Sequence, residues 1–253
     1  MSSVILFNPE DKQKGFSHFD LGLNADESSQ LENAQVAHNA TYDNFGKLDR
    51  LQGDLENFYH QLGNADEVSR RQAALTARTI NRVVARSGMQ TAWITVRASK
   101  PTPEFDRPRW HTDGYYYLPY EGEQHKAVFA IKGAHTLLNA LPANKRPAFM
   151  EWQRTAHDET TARAQREAMI DPSQTKSTPQ GKGTWMIAGP EHSSVHSEPP
   201  IHEDRIFVSV LPGSKGQIEC LRQNWNKPEE PVICGPNVSR TTAPAVMGTG
   251  HTL

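Results

Sequence analysis

Thr91-Ala92-Trp93-Ile94-Thr95-Val96-Arg97-Ala98 follows Gly88, and here the period of the chain changes. Its β-branched and aromatic residues are those of a strand. Arg109 to Tyr117, Lys126 to Lys132 and Thr184 to Ala188 are short runs of the same kind, bounded by Gly and Pro. Arg205 to Leu211 reads as a further strand ended by Pro212 and Gly213, and Gln217 to Leu221 as a last one. Upstream the spacing is helical: Leu48, Leu51, Leu55, Phe58, Tyr59 and Leu62 share a face, with Gly63 where the helix would end. Asn64 with Glu67 predicts a capping box for a second helix, whose Val68, Leu75, Ile80, Val83 and Val84 share a broad face before Gly88. Arg78, Arg82 and Arg86 on it read as a solvated face near the C-terminal end of the helix dipole.

Between Asn144 and Met169, Phe149, Trp152 and Ala156 fall at helical spacing, which predicts one inserted helix placed to serve as a lid. Residues 8–44 are polar and turn-rich and carry no assigned element. From Asn224 the composition turns to Pro, Thr, Gly and Asn, the mark of an irregular or disordered tail. No internal repeat appears. The organisation is helices first, then an all-β core with one helical insertion.

The 253 residues allow one large domain or two small ones. With 27 basic and 29 acidic side chains, a net charge of -2 and no basic tract, capture of nucleic acid or of an anionic membrane is not expected. The apolar runs, such as Ala127 to Ile131, fall far short of the ~20 residues that span a bilayer. Met1 to Asp11 has an apolar patch at Val4 to Phe7 but no basic region before it and no cleavage site after it, so it does not read as a signal peptide. Cys220 and Cys234 are the only thiols, too few for a disulfide framework or a four-cysteine zinc site. A reducing, cytoplasmic location fits best.

Eleven histidines invite a metal reading. The spacing His-x-Asp occurs three times, as His18/Asp20, His111/Asp113 and His202/Asp204, so the spacing alone decides nothing. The first lies in the turn-rich N-terminal stretch and the third in a loop after Pro199 and Pro200. Only Arg109-Trp110-His111-Thr112-Asp113-Gly114-Tyr115 lies in a strand-like run, where side chains two apart share a face and can address one ion. Its bland alternative is a hydrogen-bonded histidine beside a turn aspartate.

A second segment adds to this: His192-Ser193-Ser194-Val195-His196-Ser197-Glu198-Pro199-Pro200 leads to Arg205-Ile206-Phe207-Val208-Ser209-Val210. A His-x-Asp on an early strand, a lone His on a late strand and an Arg nine residues later on the next resemble the Fe(II)/2-oxoglutarate-dependent dioxygenases. The resemblance covers Thr91 to Leu221, about half of the chain. It implies an α+β fold with a mainly β core, a double-stranded β-helix (jelly roll, cupin-like). The division it suggests is one domain over 1–253: helical support at 45–90, a jelly-roll core at 91–221 with a helical insert at 144–169, and a tail at 222–253.

The resemblance implies that His111, Asp113 and His196 are the catalytic metal ligands, a facial triad for Fe(II) that leaves positions for 2-oxoglutarate and O2. His192 and His196 have the same strand parity. The spacing of nine residues to Arg205 and the Val-His-Ser-Glu-Pro-Pro turn favour His196, and His192, thirteen residues before Arg205, is the alternative. Arg205 is the implied partner of the far carboxylate of 2-oxoglutarate, for which a guanidinium offers a planar, permanently charged fork. Ser209 and Phe207 share its parity and would line the co-substrate pocket, although Phe207 stands where some branches of the family have Ser. Tyr115 and Tyr117 continue the parity of His111 and Asp113, and Tyr117 joins the expected co-substrate site. Lys132, His135 and Thr136 border a turn at Gly133 in a region where the family often binds co-substrate or substrate. Halogenating relatives have Ala or Gly at the carboxylate position, so Asp113 implies hydroxylation or a related C–H oxidation of a small molecule. Two other classes fit less of the pattern: a cupin-type metalloenzyme that uses no 2-oxoglutarate, and a noncatalytic jelly-roll binding protein. Substrate identity and oligomeric state are not legible.

Overall fold

The computed structural model describes residues 7–103, 106–114, 116, 123–155, 159–189, 192–225 and 232–234. In chain order come α1 (Pro9–Lys14), β1 (Phe16–Asp20), α2 (Ala25–Glu32), β2 (Ala40–Gly46), α3 (Leu51–Gln61), α4 (Asp66–Arg86), β3 (Thr91–Ser99) and β4 (Gln124–Lys132). They are followed by β5 (Leu137–Asn139), α5 (Arg146–Thr155), α6 (Glu159–Met169), β6 (Thr175–Ser177), β7 (Lys182–Ala188), β8 (Val195–Ser197), β9 (Arg205–Gly213), α7 (Lys215–Asn224) and β10 (Val232–Cys234). Among the described residues no helix is long and apolar enough to cross a membrane.

The large sheet has the order β1-β7-β4-β9-β3-β2-β10 and the small one β6-β5-β8, with antiparallel pairing throughout. A single bridge joins His111 to His196 at the free side of β8. Counting that bridge with the small sheet, the chain from β3 to β9 visits large, small, large, small, small, large, small, large. This alternation between two antiparallel sheets is a double-stranded β-helix, a mainly β core flanked by helices.

Alternation gives the large sheet two unlike faces. Ile94, Val96 and Ala98 of β3, Ala127, Phe129 and Ile131 of β4, and Ile206, Val208 and Val210 of β9 are buried in one cluster with Leu55, Phe58 and Tyr59 of α3 and Ile80, Val83 and Val84 of α4. Removing these side chains from water, at about 1.5–3 kcal/mol each, holds the helices on that face. The opposite, inner face carries Trp93, Thr95 and Arg97, then Lys126, Val128 and Ala130, then Arg205, Phe207 and Ser209. Register aligns them: Phe207 pairs with Arg97 and Ala130, and Ser209 with Thr95 and Val128. Only part of this inner face is apolar, with Val128, Met186, Phe16 and Phe207 packing against Leu138 of β5.

Several expectations are corrected. Arg109 to Tyr117 is not a continuous strand: within 106–114 only His111 makes a bridge, since Pro108 has no N–H to give a ladder and a Gly follows Asp113. Tyr115 and Tyr117 lie outside the described residues. Gln217 to Leu221 is helical, part of α7, because Ser214 and Gln217 form a reciprocal capping box and Ile218 and Leu221 then fall on one buried face. Pro212 and Gly213 continue β9, at a level where β4 no longer flanks the strand and a missing N–H is tolerated. The inserted helix is two helices, and Phe149 of α5 packs with Trp110, Leu141 and Val195. Val195 and Trp110 have the parity opposite to His196 and His111, so α5 covers the outer face of the small sheet and is no lid.

Asn64 does not cap α4, whose N-cap is Ala65. Its amide instead accepts from Gln35 N (2.8 Å) and donates to Gln35 O (3.1 Å) and Tyr59 O (2.9 Å), tying a distant loop to the end of α3. Three arginines of α4 bind the N-terminal segment: Arg78 pairs with Glu27 at 2.8 Å, Arg82 donates to Gly22 O at 2.7 Å, and Arg86 to Asp20 O at 3.3 Å. Residues 8–44 hold α1, β1, α2 and most of β2, and the tail contributes β10 against β2.

Candidate metal centre

His196 is the middle residue of the three-residue β8, and its neighbour Leu138 in β5 sets its height in the small sheet. His111 is fixed to it by two backbone bonds, His111 N to His196 O at 2.9 Å and His196 N to His111 O at 3.0 Å. The two rings therefore lie side by side, centroids 4.2 Å apart. Each Nδ1 sits on a backbone carbonyl: His111 Nδ1 on Arg109 O at 2.8 Å, His196 Nδ1 on Ser194 O at 3.0 Å. A carbonyl only accepts, so Nδ1 carries the proton in both rings and Nε2 is left with a lone pair.

Asp113 is placed by its own carbonyl, which accepts from Ser193 Oγ at 2.8 Å and from Gly189 N at 3.2 Å in the β7–β8 connection. Its Oδ2 lies 3.6 Å from His196 Nε2. One ligand-type atom from each of His111, Asp113 and His196 falls within 4.8 Å of the others, the only such group of three among the described residues. Burial, with His111 nearby, pushes the His196 imidazole down to about 3, and burial lowers His111 as well. Burial alone would raise the Asp113 carboxyl. Lys126 and the two imidazoles outweigh it, and the group stays below the usual carboxylate range. The cluster thus presents two neutral imidazoles and one carboxylate, the protonation states that a metal ion requires.

Two residues beside the cluster were not anticipated. Lys126 Nζ lies 2.5 Å from Asp113 Oδ2 and donates to Tyr116 Oη at 2.9 Å. Tyr116 packs edge-on against Trp93, and its phenol is raised well above its ordinary value by burial and by Asp113. A lysine of inward parity directly before the apolar run Ala127 to Ile131 was the available signal for Lys126. Glu198, two residues after His196, binds Arg97 of β3 at 2.5 Å and also Arg109.

Arg205 is 1% exposed at the start of β9. Its Nε donates to Ala134 O at 2.7 Å and its guanidinium lies over Phe207, 4.7 Å from the ring centre. Gly133 allows this approach: its φ is +73°, and a Cβ there would stand 2.5 Å from Asp204 O and 3.2 Å from Arg205 Cα. Ser209 is half-buried on the same face two pairs further along. Lys132 turns away to Glu32 O at 2.6 Å. His135 is half-buried, and Thr136 is buried. His192 lies in a turn outside the cluster, its Nδ1 buried with no hydrogen-bond partner among the described residues. His18 meets Thr184 Oγ1 at 3.0 Å and Asp20 meets Lys182, while His202 is exposed and Asp204 pairs with Lys100.

No family model and no curated protein matches the chain. Among solved structures it is similar to a dioxygenase for auxin oxidation from rice, with 8% identity, a TM-score of 0.43, and 79% of this chain and 74% of that chain covered. A prolyl hydroxylase from Trichoplax adhaerens in complex with a hypoxia inducible factor peptide shares 9% identity at a TM-score of 0.40, covering 83% and 88%. HygX from Streptomyces hygroscopicus, with nickel and 2-oxoglutarate bound, shares 11% at a TM-score of 0.41, covering 81% and 86%. A likeness this loose assigns no activity.

Proposed function

We propose that this protein is an Fe(II)- and 2-oxoglutarate-dependent oxygenase that oxidises a small molecule, with His111, Asp113 and His196 holding the iron. The carrying observation is the convergence of two Nε2 lone pairs and one carboxylate, with both Nδ1–H groups already committed to backbone carbonyls. That donor set fits a ferrous ion, and the carbonyls supply the outer hydrogen bonds that orient ligating imidazoles. Bound there, Fe(II) would supply oxidation of a C–H bond by O2, coupled to conversion of 2-oxoglutarate to succinate and CO2. Arg205 would bind the far carboxylate. Its burial strengthens that ion pair, and Ala134 O with the Phe207 ring fixes the guanidinium plane. Ser209 belongs to the same wall in this reading. Asp113, as an acid, favours hydroxylation or a related C–H oxidation over halogenation.

Anaerobic addition of Fe(II) and 2-oxoglutarate should give a weak visible charge-transfer band, and air should then release succinate. Arg205→Ala should lower 2-oxoglutarate affinity by well over tenfold, from ~2–5 kcal/mol for a lost buried charge partner, with iron uptake unchanged. Iron uptake with no response to 2-oxoglutarate would leave the cupin-type reading, and no iron uptake would remove the centre.

A further inference from the structure

We propose that Lys126 occupies the Asp113 carboxylate as a built-in competitor of the metal ion, so that a metal loads only by displacing the ammonium toward Tyr116. The inference rests on the metal reading of the triad and goes beyond it by assigning a residue that sets the affinity of the centre.

Lys126 reaches Asp113 from β4, across the sandwich from the His111–His196 bridge. Both side chains are 12% exposed, so water screens the pair little. The contact is to Oδ2, at 2.5 Å, and the same oxygen is the one that lies 3.6 Å from His196 Nε2. The ammonium therefore engages the oxygen that faces the His196 imidazole, the one an ion shared with His196 would use. It also has a second partner that survives the loss of the carboxylate: Tyr116 Oη at 2.9 Å, with the ring centre 5.4 Å away. A neutral phenol and an aromatic face can hold a displaced ammonium.

Two cations on one carboxylate oxygen repel, and in a partly desolvated site they repel far more than in water. The charge of Lys126 thus opposes every divalent ion that enters, and removing it must tighten binding. A merely supporting lysine predicts the reverse, because Asp113 would lose its orientation and the site would loosen.

The test is Co(II) titration of the metal-stripped protein in competition with a chromophoric chelator, for wild type, Lys126→Met, Lys126→Arg, Tyr116→Phe and the double variant of Tyr116→Phe with Lys126→Met, with folding followed by circular dichroism. Lys126→Met should bind Co(II) at least ~10-fold more tightly, and Lys126→Arg should match wild type. Tyr116→Phe removes a hydroxyl that serves both the displaced ammonium and Asp113; it should weaken binding in the wild-type background and far less in the double variant with Lys126→Met, where no ammonium needs a place. Lys126→Gln, neutral and able to hydrogen-bond, replaces Lys126→Met if that variant does not fold, with the same tightening expected. Equal or weaker binding by a folded Lys126→Met or Lys126→Gln, or an equal loss from Tyr116→Phe with and without Lys126, would overturn the inference. Failure of every variant and of wild type to take up Co(II) would overturn the metal reading itself.

Discussion

Glu198→Gln removes a negative charge from between two guanidinium groups while keeping the shape of the side chain. Glu198 is 18% exposed as a side chain, against 31% for Arg97 and 32% for Arg109, so the cluster is more buried than a surface ion pair and less than a core one. Hydrogen bonds to charged groups contribute ~1.5–3 kcal/mol each, and partial exposure reduces this. The substitution loses charge assistance in two such bonds and leaves two cations adjacent, so a destabilisation of ~2–3 kcal/mol is expected, below the ~3–5 kcal/mol of a fully buried broken pair. In urea the midpoint should fall with an unchanged slope.

The consequence for function runs through Arg109. Its guanidinium is held by Glu198, its N–H donates to Ser197 Oγ, and its carbonyl receives Nδ1–H of His111. Loosening Arg109 therefore loosens the acceptor that aims His111, an outer-sphere loss that typically costs ~10–100-fold in metal affinity. Co(II) competition on the folded variant reads this directly. Arg97→Met, on the other arm of the clamp, should destabilise by a similar amount with less effect on metal. Stability within ~0.5 kcal/mol of wild type would refute the energetic argument. A full loss of stability with unchanged Co(II) affinity would show that the clamp joins strands without positioning His111.

His196→Ala should lose iron and succinate release together, while His192→Ala should keep most of both; iron analysis and turnover in the two variants decide between them, and the opposite pattern would move the third ligand to the turn. His18, His125 and His135 are each held below the ordinary imidazole value, with burial the largest cause. Below pH ~6.5 the unfolded chain binds protons that the folded chain refuses, so stability should be full above that pH and fall as the pH drops from 7 to 5; a flat urea midpoint over that range would refute it.

The parts of the fold that were legible are those whose partners leave a local mark. β3, β4, β7 and β9 show as β-branched or apolar runs because they sit between other strands, and α3 and α4 show as broad apolar faces because they cover a sheet. β1 and β2 do not show: β2 also lies between two strands, but its Thr41, Asp43 and Asn44 leave no apolar run. Phe16-Ser17-His18-Phe19-Asp20 is short and polar, and it becomes a strand by pairing with β7, from Phe16↔Met186 to Asp20↔Lys182, more than 160 residues away. Gln217 to Leu221 alone does not announce α7, because the cap residue Ser214 that starts the helix lies outside that run. In the candidate site, His111, Asp113 and His196 could be singled out because motif order is a property of the sequence. Tyr116, between two tyrosines of the expected parity, was overlooked because that parity assumed a regular strand where the chain makes a single bridge.

The alternation in β3 nevertheless contains more than was read from it. Ala92, Ile94, Val96 and Ala98 are all at or below 1% exposure, which fixes Trp93, Thr95 and Arg97 to the opposite face by geometry alone. In β4 the same argument turns Ala127, Phe129 and Ile131 toward the helices and Lys126 away from them, and in β9 it turns Arg205, Phe207 and Ser209 away. Parity thus separates the face that carries Lys126, Arg97 and Arg205 from the face that carries the core. It does not say that Lys126 stands at Asp113 while Arg97 stands at Glu198. That depends on register, Phe207 against Arg97 on one side and against Ala130 on the other, together with the His111–His196 bridge across the sandwich. Register is set between segments distant in sequence, so the charges that tune a site of this kind are visible as inward-facing residues of apolar strands, while the ligand each one addresses is settled only by the fold.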